Sequence, residues 1–157
     1  MVESDRVIRA GDERLIVAPK VLIVDDERDL VVTCVRLLRR LGHTCLAAHT
    51  GPEAIGLIDA ERPNLVVTDL RLPVGSGLAV ARHARRASPP VPVILTTAYV
   101  SRETRQEAQA AGAAVYLPKP FSTAEFLDAV RCALTGPVPF EPQVRRSCPT
   151  RGLAQDP

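Results

Sequence analysis

The chain has 157 residues, 46% of them apolar, and a formal net charge of +2. That length suits one compact domain with short tails, and so even a charge balance gives no reason to expect nucleic acid or membrane as a partner. Trp is absent and there are only two Tyr and three Phe, so the core has to be built from Val, Leu, Ile and Ala.

Residues 1–18 are mixed and polar and read as a poorly ordered N-terminal extension with no apolar leader. Val21-Leu22-Ile23-Val24 is a short, unalternating apolar run that ends in Asp25-Asp26. Such a run fits a strand buried on both faces. From about Glu27 to Leu41 the apolar residues Leu30, Cys34, Leu37, Leu38 and Leu41 recur at helical spacing, stopped by Gly42. A weaker strand, Thr44 to Ala48, follows. Thr50-Gly51-Pro52-Glu53 has the form of a capping box and predicts a helix to about Glu61, broken by Pro63.

Leu65-Val66-Val67-Thr68 is the third strand, and it too ends on an aspartate, Asp69. Pro73, Gly75 and Gly77 mark a loop, and Leu78 to Ala87 is the third helix, closed by Pro89-Pro90. Val93 to Thr97 is the fourth strand. Ser101 caps an Ala-rich helix to about Ala111, ended by Gly112, and Ala113 to Leu117 is the fifth strand. Ser122-Thr123-Ala124-Glu125 is a second capping box, opening a helix with Phe126, Leu127, Val130, Ala133 and Leu134 inward. Strand and helix thus alternate five times, the pattern of an α/β doubly wound domain with a parallel sheet. The domain spans 19–135, and 136–157 is a Pro-rich tail too short for a second domain.

Cys34, Cys45, Cys132 and Cys148 form no CxxC pair, which argues against a zinc site and gives no disulfide framework. Cys34 and Cys132 read as small buried hydrophobes on helix faces. His43, His49 and His83 are scattered and read as surface or packing residues. The Arg36, Arg39, Arg40 and Arg82, Arg85, Arg86 groups read as solvated helix faces. No apolar run is long enough to span a bilayer, so the expected location is the cytoplasm.

In an open parallel sheet, ligands bind at the carboxyl ends of the strands. The chemically unusual residues lie there: Asp25 and Asp26 after the first strand, Asp69 after the third, Thr97 ending the fourth, Lys119 after the fifth. Three carboxylates in one crevice repel one another, by roughly 3 kcal/mol for a pair ~5 Å apart at an effective dielectric of 20. Lys119 offsets part of this; it is one of only two lysines beside 18 arginines. A hard divalent cation is the other candidate, since Mg2+ is typically held by one or two carboxylates with water and phosphate oxygens. The charges therefore point to a site for a cation and a phosphoryl group. Asp69 can act as the nucleophile that forms an aspartyl phosphate, while Thr97 and Lys119 offer donors to phosphoryl oxygens.

The segments VLIVDDE, VVTDLRLPVGSGL, VILTTAYV and VYLPKPF, in this order and spacing, closely resemble the receiver domains of two-component response regulators, from about Lys20 to Leu134. The resemblance implies a flavodoxin-like fold of five parallel strands and five helices. It implies that Asp69 accepts a phosphoryl group from a phosphohistidine on a sensor histidine kinase or a histidine phosphotransfer protein. It implies Mg2+ held by Asp26, Asp69 and the backbone carbonyl of Arg71, with Asp25 acting through water. Thr97 and Lys119 would contact the phosphoryl oxygens, and Tyr116 stands at the aromatic switch position. The Lys119-Pro120 bond would be cis, a geometry that X-Pro bonds tolerate cheaply. Leu72 replaces a frequent Met, and Ser76 a common Asp. Arg71 and Tyr99 are bulky at positions flanking the phosphoryl site.

The expected function is a stand-alone receiver that catalyses its own phosphorylation and dephosphorylation and switches a protein-binding surface for a downstream target. It is a signalling phosphoacceptor, not a metabolic enzyme. A homodimer through the fourth helix, fifth strand and fifth helix is a further expectation. The competing readings are a docking module that never needs phosphate, a Mg2+-dependent phosphohydrolase, and the receiver part of a longer regulator. The full set of acidic residues speaks against the first. The second would need an acid two residues after Asp69, where Arg71 stands. A DNA-binding regulator would need an output domain that this chain does not carry.

Overall fold

The computed structural model describes residues 7–9 and 15–136, with side chains from 18 to 136. Two short strands come first, β1 (Val7–Arg9) and β2 (Leu15–Val17), paired antiparallel with Val7 opposite Val17. They lie in the stretch read as an extension, where β-branched Val7, Ile8, Ile16 and Val17 favour extended backbone. The rest of that stretch, and the tail from 137 to 157 with Cys148, lie outside the described residues.

The domain proper alternates β3 (Lys20–Val24), α1 (Arg28–Arg40), β4 (Thr44–Ala48), α2 (Gly51–Glu61), β5 (Leu65–Asp69), α3 (Gly77–Arg86), β6 (Val93–Thr97), α4 (Arg102–Ala110), β7 (Val115–Pro118) and α5 (Thr123–Thr135). The five parallel strands lie in the order β4-β3-β5-β6-β7. Numbered within the alternation this is 2-1-3-4-5, the flavodoxin-like order.

Each central strand is apolar on both faces because each face is covered. Leu22 and Val24 of β3, Val66 of β5 and Leu95 of β6 pack with Ala54 and Ile58 of α2, Val80 and Ala84 of α3 and Ala108 of α4. Their neighbours Val21, Ile23, Val67 and Ile94 point the other way, onto Cys34 and Leu38 of α1 and Phe126 and Val130 of α5. The strand period of two thus divides one apolar run between two cores.

The capping residues begin their helices as the motifs require, with one difference. Ser101 and Ser122 close reciprocal capping boxes with Thr104 and Glu125. Thr50 accepts from the Glu53 N–H, but the Glu53 carboxylate reaches past Thr50 to the N–H of His49 at 2.9 Å. Leu41, expected on the inner face of α1, is 59% exposed, because the helix ends at Arg40 and Leu41 caps it. Cys34 is buried as expected, its thiol pushed up to about 12 by burial; Cys132 is only half-buried.

Candidate functional site

The sheet register assembles the site. Val24 of β3 pairs with Thr68 of β5, so Asp25 and Asp69 leave adjacent strands side by side. Asp69 pairs with Thr96 of β6, and Thr97 pairs with Pro118 of β7, which puts Lys119 at the same edge. The Lys119 N–H donates to the Thr97 carbonyl at 2.8 Å, and the Lys119–Pro120 peptide is cis.

Carboxylate oxygens of Asp25, Asp26 and Asp69 all lie within 4.8 Å of one another. Lys119 reaches into this group, with Nζ 2.8 Å from Asp25 Oδ2 and 3.3 Å from Asp69 Oδ2. Its ammonium also lies 4.0 Å from Glu27, a fourth carboxylate whose one signal in the sequence is that it directly follows the acidic pair. Burial pushes the Asp69 carboxyl above its ordinary value; Lys119 opposes that shift and Asp25 adds to it. Burial works against the charge on Lys119 too, but hydrogen bonds and attraction from Asp25 and Asp69 hold its pKa above the usual value. One cation among three carboxylates leaves the group acidic, and its donors are hard oxygens, which fits Mg2+.

The loop after β5 is shaped by glycine. A Cβ at Gly77 would run into the Asp69 carbonyl, and Gly75 has φ +89 where the loop packs on Gly51 of α2. The Gly51 N–H donates to the Val74 carbonyl at 2.9 Å, tying α2 to this loop. Ser76, in place of a common Asp, accepts from the Leu78 N–H and caps α3.

Four of the expected residues, Asp25, Asp26, Asp69 and Lys119, therefore meet. Arg71 is adjacent through its backbone, with its N–H 3.4 Å from Asp69 Oδ1. Its guanidinium stacks on the Tyr99 ring, 4.9 Å from the centroid, so the two bulky flanking residues form a pair. Thr97 is buried at the end of β6, and its hydroxyl accepts from the Tyr99 N–H at 2.9 Å. Tyr116 is buried, with its hydroxyl 2.7 Å from Thr104 Oγ1 on α4. Thr104 also takes the Ser101 N–H and lies within donating reach of the Tyr99 carbonyl, so a chain of hydroxyls and loop backbone joins Thr97 to Tyr116.

His49, read as a surface or packing residue, lies beside this group. Its Nδ1 lies 3.0 Å from the Asp25 carbonyl oxygen and its Nε2 3.2 Å from Arg28. The available signal was its place directly after the second strand of the alternation, on the edge where ligands bind.

Comparison with known proteins agrees with this geometry. A family model for the response regulator receiver domain matches residues 21–131. The chain is 37% identical over 115 residues to the response regulator MprA of Mycobacterium ulcerans, covering 73% of this chain and 50% of that one. It thus spans about half the length of the curated relatives it matches. Among solved structures, the chemotaxis response regulator CheY4 of Vibrio cholerae superposes with a TM-score of 0.69 at 28% identity, covering 74% of this chain and 99% of that one. A CheY-like receiver domain protein from Methanospirillum hungatei gives 0.71 at 28% identity, covering 74% and 94%. With fold, strand order and matched segment in agreement, the chain belongs to the response regulator receiver domain family.

Proposed function

We propose that this receiver is phosphorylated on Asp69 by a histidine kinase or phosphotransfer protein, in a reaction that uses Mg2+ held by Asp26, Asp69 and the Arg71 carbonyl, with Asp25 acting through water. The observation that carries this reading is the trio of carboxylates within 4.8 Å around a half-buried lysine at the carboxyl edge of the sheet. Mg2+, when bound, supplies positive charge that offsets the carboxylates and the phosphoryl oxygens.

An Asp69 carboxylate oxygen attacks phosphorus, the P–N bond of the phosphohistidine breaks, and the freed imidazole takes up a proton. With a small donor such as acetyl phosphate, acetate leaves instead. Lys119, already hydrogen-bonded to Asp69, is placed to stabilise the new phosphoryl oxygens. Thr97 exchanges its contact with the Tyr99 N–H for one with the phosphoryl group. The change passes through Tyr99 and Thr104 to Tyr116, and so to the surface of α4, β7 and α5. α4 buries only Thr104 and Ala108, so it shifts at modest cost.

In this reading the chain is a switch that catalyses its own phosphorylation and dephosphorylation. Its output is a downstream protein, and self-association runs through the same α4–β7–α5 surface. We place it in the cytoplasm; among the described residues no helix is long and apolar enough to cross a membrane. The same chemistry serves a second reading, the receiver part of a longer regulator, which the greater length of the MprA relatives favours.

The test is incubation with acetyl phosphate, with Mg2+ or with a chelator, read by intact mass. One added phosphoryl group that depends on Mg2+ is expected. Labelling that is absent with Mg2+, or equal with the chelator, refutes the reading.

A further inference from the structure

His49 follows β4 on the same edge of the sheet as Asp25 and Asp69, and it is engaged at three points. Its backbone N–H donates to Glu53 Oε1 on α2 at 2.9 Å. Its Nδ1 is 3.0 Å from the backbone carbonyl of Asp25, and its Nε2 is 3.2 Å from an Arg28 guanidinium nitrogen on α1. A carbonyl only accepts and a guanidinium only donates. Nδ1 therefore carries the hydrogen and Nε2 the lone pair, and the two partners between them select one tautomer and one ring orientation.

The carbonyl held by His49 belongs to the peptide that joins Asp25 to Asp26. The two aspartates are otherwise unequally secured. The Asp25 carboxylate accepts from the Glu27 N–H at 2.9 Å and from Lys119 at 2.8 Å. Asp26 is exposed, and among the described residues no hydrogen bond holds its side chain. The direction in which Asp26 leaves the chain is set by the peptide before it, and His49 is the side chain that fixes that peptide.

We propose that His49 is a positioning residue for the acidic turn. Through Nδ1–H it orients the Asp25–Asp26 peptide so that the Asp26 carboxylate faces the site of the divalent cation. Arg28 and Glu53 hold the ring and the backbone of His49 from α1 and α2, so three elements converge on this one peptide. This rests on the proposed role of Asp26 as a Mg2+ ligand.

The experiment measures the Mg2+ dissociation constant by calorimetric titration, with the apo melting temperature recorded alongside, for the parent, His49→Asn and His49→Leu. The asparagine amide nitrogen stands the same number of bonds from the backbone as Nδ1, so it keeps the donor to Asp25 and gives up Arg28. Leucine keeps bulk and removes the donor. Groups that orient a metal ligand typically change affinity by ten- to a hundredfold, so His49→Leu is expected to weaken Mg2+ binding about tenfold and His49→Asn less than about twofold. A role in packing alone would change the apo melting temperature and leave the dissociation constants equal. Equal constants for parent, Asn and Leu overturn the proposal, as does an Asn variant as weak as Leu. Should His49→Leu not fold, His49→Ala takes its place with the same expected and overturning results. A parent chain that binds no Mg2+ refutes the metal reading, and this inference with it; a parent that binds and variants that bind equally refute this inference alone.

Discussion

Replacing Asp69 by asparagine is expected to make the fold more stable when Mg2+ is absent. Asp69 faces Asp25 and Asp26 with carboxylate oxygens within 4.8 Å, and its side chain is only 13% exposed. At an effective dielectric of 20, each of these repulsions is roughly 3 kcal/mol, while the attraction to Lys119 at 3.3 Å is roughly 5 kcal/mol. With the exposed Asp26 screened by solvent, the repulsions about match the attraction, and burial of the Asp69 charge tips the balance, so neutralising Asp69 relieves on the order of 1 kcal/mol. The asparagine oxygen still accepts from Lys119, and no charge has to be buried. For a domain of this size that corresponds to a rise in Tm of roughly 5 °C. The pH dependence follows from the raised pKa of Asp69 in the fold. The folded parent binds this proton more tightly than the unfolded chain, so the parent gains stability as pH falls, fully so below the ordinary carboxylate range, and loses it as pH rises through the raised value. The advantage of Asp69→Asn is thus full at neutral pH and shrinks in acid. Thermal melts by circular dichroism in a chelator, at neutral and acidic pH, measure it. An Asp69→Asn chain that melts below the parent at neutral pH without Mg2+ refutes the electrostatic reasoning.

Millimolar Mg2+ is expected to raise the Tm of the parent by mass action, and Asp26→Ala to reduce that rise; an unchanged parent Tm rules out a metal site. Replacing Arg71 with Asn and Tyr99 with Ala removes the stacked pair beside Asp69, so phosphoryl loss, followed by intact mass, is expected to quicken; equal or slower decay counts against steric shielding. Thr97→Ala is expected to accept a phosphoryl group yet show weaker beryllofluoride-induced NMR shifts on α4 and β7. A full parental shift pattern there means that output leaves Asp69 by another route.

The alternation of elements was legible because both of its signals are local. The run from Val21 to Val24 is apolar throughout since both faces of β3 are covered, and Ser101 and Ser122 mark their helices within one turn. Asp25, Asp69 and Lys119 could be placed together from strand ends alone, because parallel strands in close register bring their carboxyl ends to one edge. What escaped were side-chain contacts that no local pattern encodes. The ring of His49 finds a carbonyl 24 residues away, and no periodicity encodes that. Tyr116 stands at the aromatic switch position by sequence, and only the fold sets Thr104 against its hydroxyl. Glu53 has the spacing of a capping box, but spacing does not say that its carboxylate takes the His49 N–H instead of the Thr50 N–H.

The central claim is that Asp69 is the phosphoacceptor. Parent and Asp69→Asn are incubated with acetyl phosphate and Mg2+, and intact masses are compared over time. The account expects one phosphoryl group on the parent and none on Asp69→Asn, with the variant still folded; equal labelling of the two chains would contradict it.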